Sequence, residues 1–129
     1  FEIVPGVPSA CAAAAAAGIP LTRRLAARRV QFVTGADVTG GLPEGLNWAA
    51  LADPSATTVV FMGKRTFAML ATELMNHGLP AETPALMAEA VGHPEQRLTR
   101  ATIGSLGAVI ADAVSTAPAL ILYGPLMED

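Results

Sequence analysis

The apolar residues of this 129-residue chain fall into short runs and helically spaced stretches that glycine and proline separate. Residues 57–62 form an almost entirely apolar run, which is typical of a central strand covered on both faces. Residues 64–77 are predicted to form a helix that stops at Gly78 and Pro80. The apolar face of that helix consists of Phe67, Leu70, Ala71, Leu74 and Met75.

The same reasoning places the remaining elements. Ser9 is a favourable N-cap for an alanine-rich helix over residues 10–17, which Gly18 is suited to end. A short helix is predicted over residues 46–51. Another begins near Thr102, and its apolar face consists of Leu106, Val109, Ile110, Ala113 and Val114. Further strands are predicted over residues 1–4, 30–34, 83–88, 96–102 and 118–123.

Helices and strands mostly alternate along the chain, which indicates an α/β fold with one layered sheet. The strands over residues 83–88 and 96–102 break this alternation. Because so short a connection cannot join neighbouring parallel strands, these two are expected to be antiparallel, with the more polar 96–102 at an edge. The sequence therefore predicts a single α/β domain whose mixed central sheet is flanked by helices.

Composition narrows the classes of function. Hydrophobic residues make up 52% of the chain and the formal net charge is −3, so neither nucleic acid nor a membrane surface is expected as a partner. No apolar run reaches the roughly 18 residues of a membrane span. The single cysteine, Cys11, excludes an internal disulfide and is expected to be a small buried residue, and the protein is expected to be cytoplasmic.

Candidate chemistry is sparse. His77 and His93 are expected on the surface, and the sequence contains no catalytic motif, paired carboxylates on one helix face or metal-ligand spacing. The rigid bend at residues 5–9 leads into a helix N-terminus, which presents free N–H groups and a positive dipole end. This bend is therefore either ordinary helix capping or a place where a polar cofactor group is held.

A cluster of arginines interrupts this otherwise acidic chain. Half of the eight lysines and arginines fall within seven positions, namely Arg23, Arg24, Arg28 and Arg29. Guanidinium groups bind carboxylates and phosphates through paired hydrogen bonds. The cluster is therefore either a solvated face or a site for a polyanionic ligand. Nucleic acid is disfavoured as that ligand because no aromatic residues are interleaved for base stacking.

The order of several short blocks resembles the tetrapyrrole methylases, most closely their uroporphyrinogen-III C-methyltransferase branch. The blocks are residues 4–10 (VPGVPSA), 18–24 (GIPLTRR), 32–35 (FVTG), 46–48 (LNW), 57–63 (TTVVFMG), 78–84 (GLPAETP), 95–97 (EQR) and 118–121 (PALI). Together they extend from residue 1 to about residue 124. The order of the blocks is much more specific than any block alone.

This resemblance implies a two-lobed methyltransferase that binds S-adenosylmethionine or S-adenosylhomocysteine between its lobes. Residues 1–9 are expected to form the hinge strand and interlobe linker, and residues 10–129 the C-terminal lobe. The start at Phe1 is interpreted as a cut through a longer protein that supplies the missing N-terminal lobe. This chain alone is then expected to be inactive, and the whole protein to be a homodimer.

The expected reaction is C-methylation of the tetrapyrrole uroporphyrinogen III toward precorrin-2, on the route to sirohaem or cobalamin. Its methyl donor is already activated, so the resemblance implies no metal, and it assigns no catalytic residue to this chain. The positions expected to bind the cofactor are Pro8, Ser9, Met62, Gly63, Val91 and Ala119. Arg23 and Arg24 are expected to bind carboxylates of the substrate.

Four positions depart from the family pattern. Pro8 replaces a residue that is usually threonine or serine, Val91 replaces a glycine, and Arg23 and Ala36 replace histidines. The alternatives are a methylase of another tetrapyrrole or of rRNA, a non-catalytic remnant of the fold, and an anion- or nucleic-acid-binding module. A binding constant that falls steeply with salt would favour the last of these.

Overall fold

The computed structural model describes residues 9–22, 27, 29–36, 41–61, 65–112 and 119–126. Its helices are α1 (Ser9–Ala17), α2 (Trp48–Leu51), α3 (Phe67–Asn76) and α4 (Ile103–Asp112). Its strands are β1 (Arg29–Thr34), β2 (Ala56–Phe61), β3 (Pro84–Glu89), β4 (Arg97–Thr102) and β5 (Ala119–Tyr123). The strand predicted over residues 1–4 lies outside this part of the chain. None of the helices described is long and apolar enough to cross a bilayer.

The strands form one mixed sheet in the order β1-β2-β5-β3-β4. β1 and β2 are parallel, whereas β5 is antiparallel to both of its neighbours, β2 and β3. β3 and β4 pair antiparallel, and β4 lies at an edge, so both predictions for this pair are confirmed. The last strand of the chain therefore occupies the centre of the sheet.

Helices cover both faces of the sheet, which confirms the layered α/β class. α2, α3 and α4 lie on one face, over a core that includes Leu51, Phe67, Leu70, Leu74, Leu106 and Tyr123. α1 lies on the other face, where Ala13 and Ala14 pack with Val59, Leu86 and Leu122. β2 is buried along almost its whole length, as expected of a central strand with both faces covered.

Three sequence predictions need correction. Cys11 is exposed rather than buried, because α1 turns Ala13 and Ala14 toward the sheet. Val109 is 37% exposed, because α4 buries Ile103 and Leu106 and places Val109 away from that face. The helix predicted over residues 64–77 begins at Phe67, after a turn. Ala113 and Val114, predicted on the inner face of α4, lie outside the described residues.

Buried hydrogen bonds attach α2 to the sheet. The Gln31 side-chain N–H group donates to the Ala50 carbonyl and to the Thr58 hydroxyl, each at 2.8 Å. The Tyr123 hydroxyl donates to the Leu51 carbonyl at 2.8 Å. Burial raises the pKa of the Tyr123 hydroxyl well above its ordinary value, so it remains a donor over the range in which proteins are stable. Carbonyls in the last turn of a helix have no partner within it, and these bonds add to the one that the Asp53 N–H donates to the Ala50 carbonyl at 3.3 Å.

Arg29, a member of the arginine cluster, belongs to this structural region. Its guanidinium lies 3.0 Å from the Asp53 carboxylate, in the turn that precedes β2. The pKa of Asp53 is held below its usual range by hydrogen bonds from the Ser55 hydroxyl and backbone N–H, and further by Arg29. Arg29 therefore fixes the beginning of β1 against the turn that leads into β2.

The adjacent buried threonines of β2 provide a matched test of hydrogen bonding. Thr58 accepts from Gln31, whereas the buried Thr57 hydroxyl has no hydrogen-bond partner. Valine keeps the shape of threonine. We expect Thr58→Val to lower the free energy of unfolding by about 1–2 kcal/mol and Thr57→Val to raise it by about 1 kcal/mol, because an unsatisfied buried hydroxyl is destabilising. Urea denaturation measures both, and losses of equal size would contradict the assignment.

Candidate functional site

The ends of several strands meet at one side of the sheet. β1, β2 and β3 end there at Thr34, Phe61 and Glu89, and β4 and β5 begin there at Arg97 and Ala119. The register requires this arrangement, since Thr34 pairs with Phe61 and Glu89 pairs with both Arg97 and Ala119. We call this region the carboxyl end. Ligands of open α/β sheets bind in the crevice outside the carboxyl ends of parallel strands.

Two of the positions predicted to bind the cofactor lie at the carboxyl end. Val91 follows β3, is half-buried, and packs against the core beneath α1. Ala119 begins β5 and packs against the core beneath α3 and α4. Ser9 is the first residue of α1. The other predicted site positions, Pro8, Arg23, Arg24, Met62 and Gly63, lie outside the described residues.

The connection between β3 and β4 is held by three hydrogen bonds. The His93 N–H donates to the Ala90 carbonyl and the Gln96 N–H to the His93 carbonyl, each at 3.0 Å. The Gln96 side-chain carbonyl accepts from the Gly92 N–H at 2.9 Å. Ala90 has a φ of +49°, a left-handed conformation that residues other than glycine seldom adopt. The hydrogen bonds therefore hold a turn that alanine alone would disfavour, directly beside Val91.

Gly35 connects the ends of β1, β2 and α3. Its N–H donates to the Phe61 carbonyl at 2.6 Å and extends the pairing of β1 with β2. Its carbonyl accepts from the Thr66 hydroxyl at 2.5 Å. Gly35 is buried and Thr66 is 2% exposed. Both polar backbone groups of Gly35 are thus satisfied at the carboxyl end.

Sequence reasoning singled out neither Thr66 nor Glu89 in this region, and it noted Gln96 only as part of the 95–97 block that resembles the family. Glu89 is 2% exposed, although the strand was predicted to end at Ala88. A glutamate directly after an apolar run was the available signal, because a carboxylate so placed is either buried with a partner or functional. Thr66 and Gln96 carried no such signal, since their partners are backbone groups of turns that only the folded chain defines.

The two histidines, His77 and His93, lie in separate parts of the described structure. Both are exposed, as predicted. The ring of His77 stacks on Trp48 with 5.6 Å between centroids, and its Nδ1 lies 2.8 Å from the Glu73 carbonyl near the end of α3. Among the described side chains, no group of three or more His, Cys, Asp or Glu could hold a metal ion. His77 therefore serves to join α3 to α2.

A mostly apolar groove of about 210 Å³ lies away from the carboxyl end. Its lining residues are Glu82, Pro84, Ala85, Leu86, Arg100, Ala101, Thr102 and Leu126. It lies where β3 begins and β4 ends, near the other end of the sheet. Its position therefore separates it from the residues predicted to bind a cofactor.

The sequence and the fold match known proteins. A profile of the tetrapyrrole (corrin/porphyrin) methylases matches residues 1–107. A siroheme synthase of Chromobacterium violaceum is 42% identical over 128 residues, which cover 99% of this chain and 27% of that protein. The chain therefore spans about a quarter of the length of this relative.

Two solved structures share the fold over about half of their own length. A uroporphyrin-III C-methyl transferase of Thermus thermophilus, in complex with S-adenyl homocysteine, matches with a TM-score of 0.76 and 31% identity. The match covers 95% of this chain and 52% of that one. The cobalamin biosynthetic enzyme cobalt precorrin-4 methyltransferase matches with a TM-score of 0.82 and 30% identity, over 95% of this chain and 51% of that one.

Gln96 is expected to hold the turn that carries Val91. Replacement by alanine removes the acceptor of the Gly92 N–H, so we expect that amide to exchange with solvent about three- to tenfold faster, as for a lost exposed hydrogen bond. Gln96→Glu keeps a carbonyl-type acceptor and should exchange like the parent. Hydrogen exchange measured by NMR tests this, with the Gly78 amide, bonded to the Met75 carbonyl, as internal control. Unchanged exchange at Gly92 in Gln96→Ala would show that the side chain does not hold the turn.

Proposed function

The chain belongs to the tetrapyrrole (corrin/porphyrin) methylase family, and from that membership we propose that it is part of an S-adenosylmethionine-dependent C-methyltransferase. The proposed substrate is uroporphyrinogen III and the proposed product is precorrin-2. The observation that carries the proposal is that Val91 and Ala119 both lie at the carboxyl end, Val91 just beyond β3 and Ala119 at the beginning of β5, where it pairs with Glu89. The fold that carries both residues is shared with a transferase whose structure contains S-adenyl homocysteine.

Features of the described carboxyl end support the proposed adenosyl site. Val91 offers half-buried apolar surface for a flat ring, and Ala119 has a short, partly exposed side chain. A Cβ added at Gly92 would meet no atom within 4 Å, so the space beside the turn is open. A mostly apolar lining is usual for a small-molecule site.

The proposed task of this chain is binding and orientation. S-adenosylmethionine supplies, when bound, a methyl group that its sulfonium already activates. Val91 and Ala119 are proposed to contact its adenosyl group on a sheet that keeps them fixed, and apolar surroundings keep water from the reacting groups. The remaining proposed contacts are Pro8, Ser9, Met62 and Gly63.

We propose a site divided between two lobes. Residues 1–9 form the hinge and linker and residues 10–129 the C-terminal lobe. The proposal is supported by coverage, since 95% of this chain matches only 52% of the Thermus thermophilus transferase. A cofactor held between lobes loses about half of its contacts when one lobe is missing, so this chain alone is proposed to be inactive. The complete protein is proposed to be a homodimer.

Arg23 and Arg24 are proposed to bind carboxylates of the tetrapyrrole. Arg29 belongs to the same cluster but is engaged with Asp53 at the beginning of β1, at the opposite end of the sheet from the carboxyl end. Arg29 is therefore not proposed to bind substrate. Arg23 and Arg24 are proposed for that role because paired guanidinium hydrogen bonds suit carboxylates.

A second tetrapyrrole is the alternative substrate. The cobalt precorrin-4 methyltransferase matches this fold with the higher TM-score, 0.82 against 0.76, at nearly the same identity. The proposed cofactor contacts are the same for such a substrate. Comparing turnover of uroporphyrinogen III with that of a more methylated precorrin distinguishes the two.

Titration of S-adenosylhomocysteine tests the cofactor proposal. We expect the full-length protein in which this sequence occurs to bind it, and this 129-residue chain to bind at least about a hundredfold more weakly, because half of the contacts are missing. Isothermal titration calorimetry of the two samples measures the difference. Absence of binding by the full-length protein would overturn the methyltransferase proposal in favour of a non-catalytic remnant.

Substitution of the arginines tests the substrate proposal. In the full-length protein, Arg23→Ala and Arg24→Ala should each raise the KM for uroporphyrinogen III by about tenfold or more, as expected when a charge-assisted hydrogen bond is lost. The affinity for S-adenosylhomocysteine should not change. Arg29→Ala is the matched control, since it removes the same charge from the same cluster at a structural position. An equal rise in KM for Arg29→Ala would indicate a general charge effect and contradict a specific site.

A further inference from the structure

Thr66 occupies the N-cap position of α3 but does not cap it. Threonine at this position normally accepts a hydrogen bond from an N–H of its own first turn. No such bond is formed by Thr66. Its hydroxyl instead donates to the carbonyl of Gly35, 31 residues away, at 2.5 Å. The Thr66 hydroxyl therefore makes a long-range hydrogen bond in place of a local capping bond.

This long-range contact lies in the buried carboxyl end. Thr66 is 2% exposed, so its hydrogen bond is sheltered from competition with water. The N–H of the same Gly35 donates to Phe61, the last residue of β2. One residue, Gly35, therefore holds both flanks of the connection from β2 to α3.

We propose that Thr66 is a positioning residue for cofactor binding, which it serves by fixing the start of α3 to the end of β1 through Gly35. The inference rests on the proposed function. The two bonds of Gly35 hold the end of β2 and the start of α3 together at the carboxyl end, where the cofactor is proposed to bind. A surface that is fixed before the ligand arrives costs less free energy to order on binding. Loss of the bond therefore weakens ligand binding without removing a ligand contact.

The test uses Thr66→Val in the full-length protein. Valine keeps the size and branching of threonine and removes the hydroxyl, so the Gly35 carbonyl loses its donor. We expect the dissociation constant of S-adenosylhomocysteine to rise about three- to tenfold, corresponding to one lost hydrogen bond. Thr66→Ser keeps the hydroxyl and should bind like the parent.

Two control variants separate positioning from loss of stability. Thr72→Val makes the same substitution on the outer side of α3, where the hydroxyl bonds only to the Ala68 carbonyl one turn away. Tyr123→Phe removes a buried hydroxyl bond, to Leu51, at the other end of the sheet. Tyr123→Phe should lower the Tm about as much as Thr66→Val and leave the affinity for S-adenosylhomocysteine unchanged.

Each outcome decides the proposal. Weaker binding by Thr66→Val alone supports a positioning role. Parent-like affinity of Thr66→Val, or an equal loss of affinity in Tyr123→Phe, overturns it, because the effect would then be absent or would follow stability. Absence of binding by the parent overturns the proposed function and this role with it, whereas binding by the parent with unchanged affinity in Thr66→Val overturns the positioning role alone.

Discussion

The fold depends on the pairing of β5 between β2 and β3. β1 and β2 form one part of the sheet and β3 and β4 another, and only β5 makes hydrogen bonds to both. Its residues from Leu120 to Tyr123 are almost fully buried, so apolar burial and two hydrogen-bonded ladders act on the same strand. β5 therefore joins the two parts into one sheet.

The same pairing creates the carboxyl end. It brings Ala119 beside Glu89 and thereby places the β3–β4 turn next to the beginning of β5. Family membership and this placement together support the proposed site, whose task is to bind and orient the cofactor. The polar residues in this region bond to backbone groups and give the turns fixed shapes, which is how a rigid sheet offers a preformed surface to a ligand.

Three threonines show that tertiary context decides what a side chain does. Thr57 and Thr58 are adjacent and equally buried, yet one hydroxyl has no hydrogen-bond partner and the other accepts from Gln31. Thr66 lies where a capping residue is expected and bonds to Gly35 instead. Sequence alone predicts strand for the first two and helix for the third. Residues of other elements determine whether each hydroxyl forms a hydrogen bond and with which group.

The sequence by itself determined the α/β class, the antiparallel β3–β4 pair and the location of most helices and strands, because these follow from local apolar periodicity and from turn residues such as Gly18 and Gly78. The order of its motifs also identified the family. Only the tertiary structure decided that β5 lies between β2 and β3, that Cys11 faces solvent, and that Arg29 serves the fold while Gln96 and Thr66 shape the carboxyl end. Most of these features depend on contacts between residues distant in sequence, whose energies cannot be read from local periodicity.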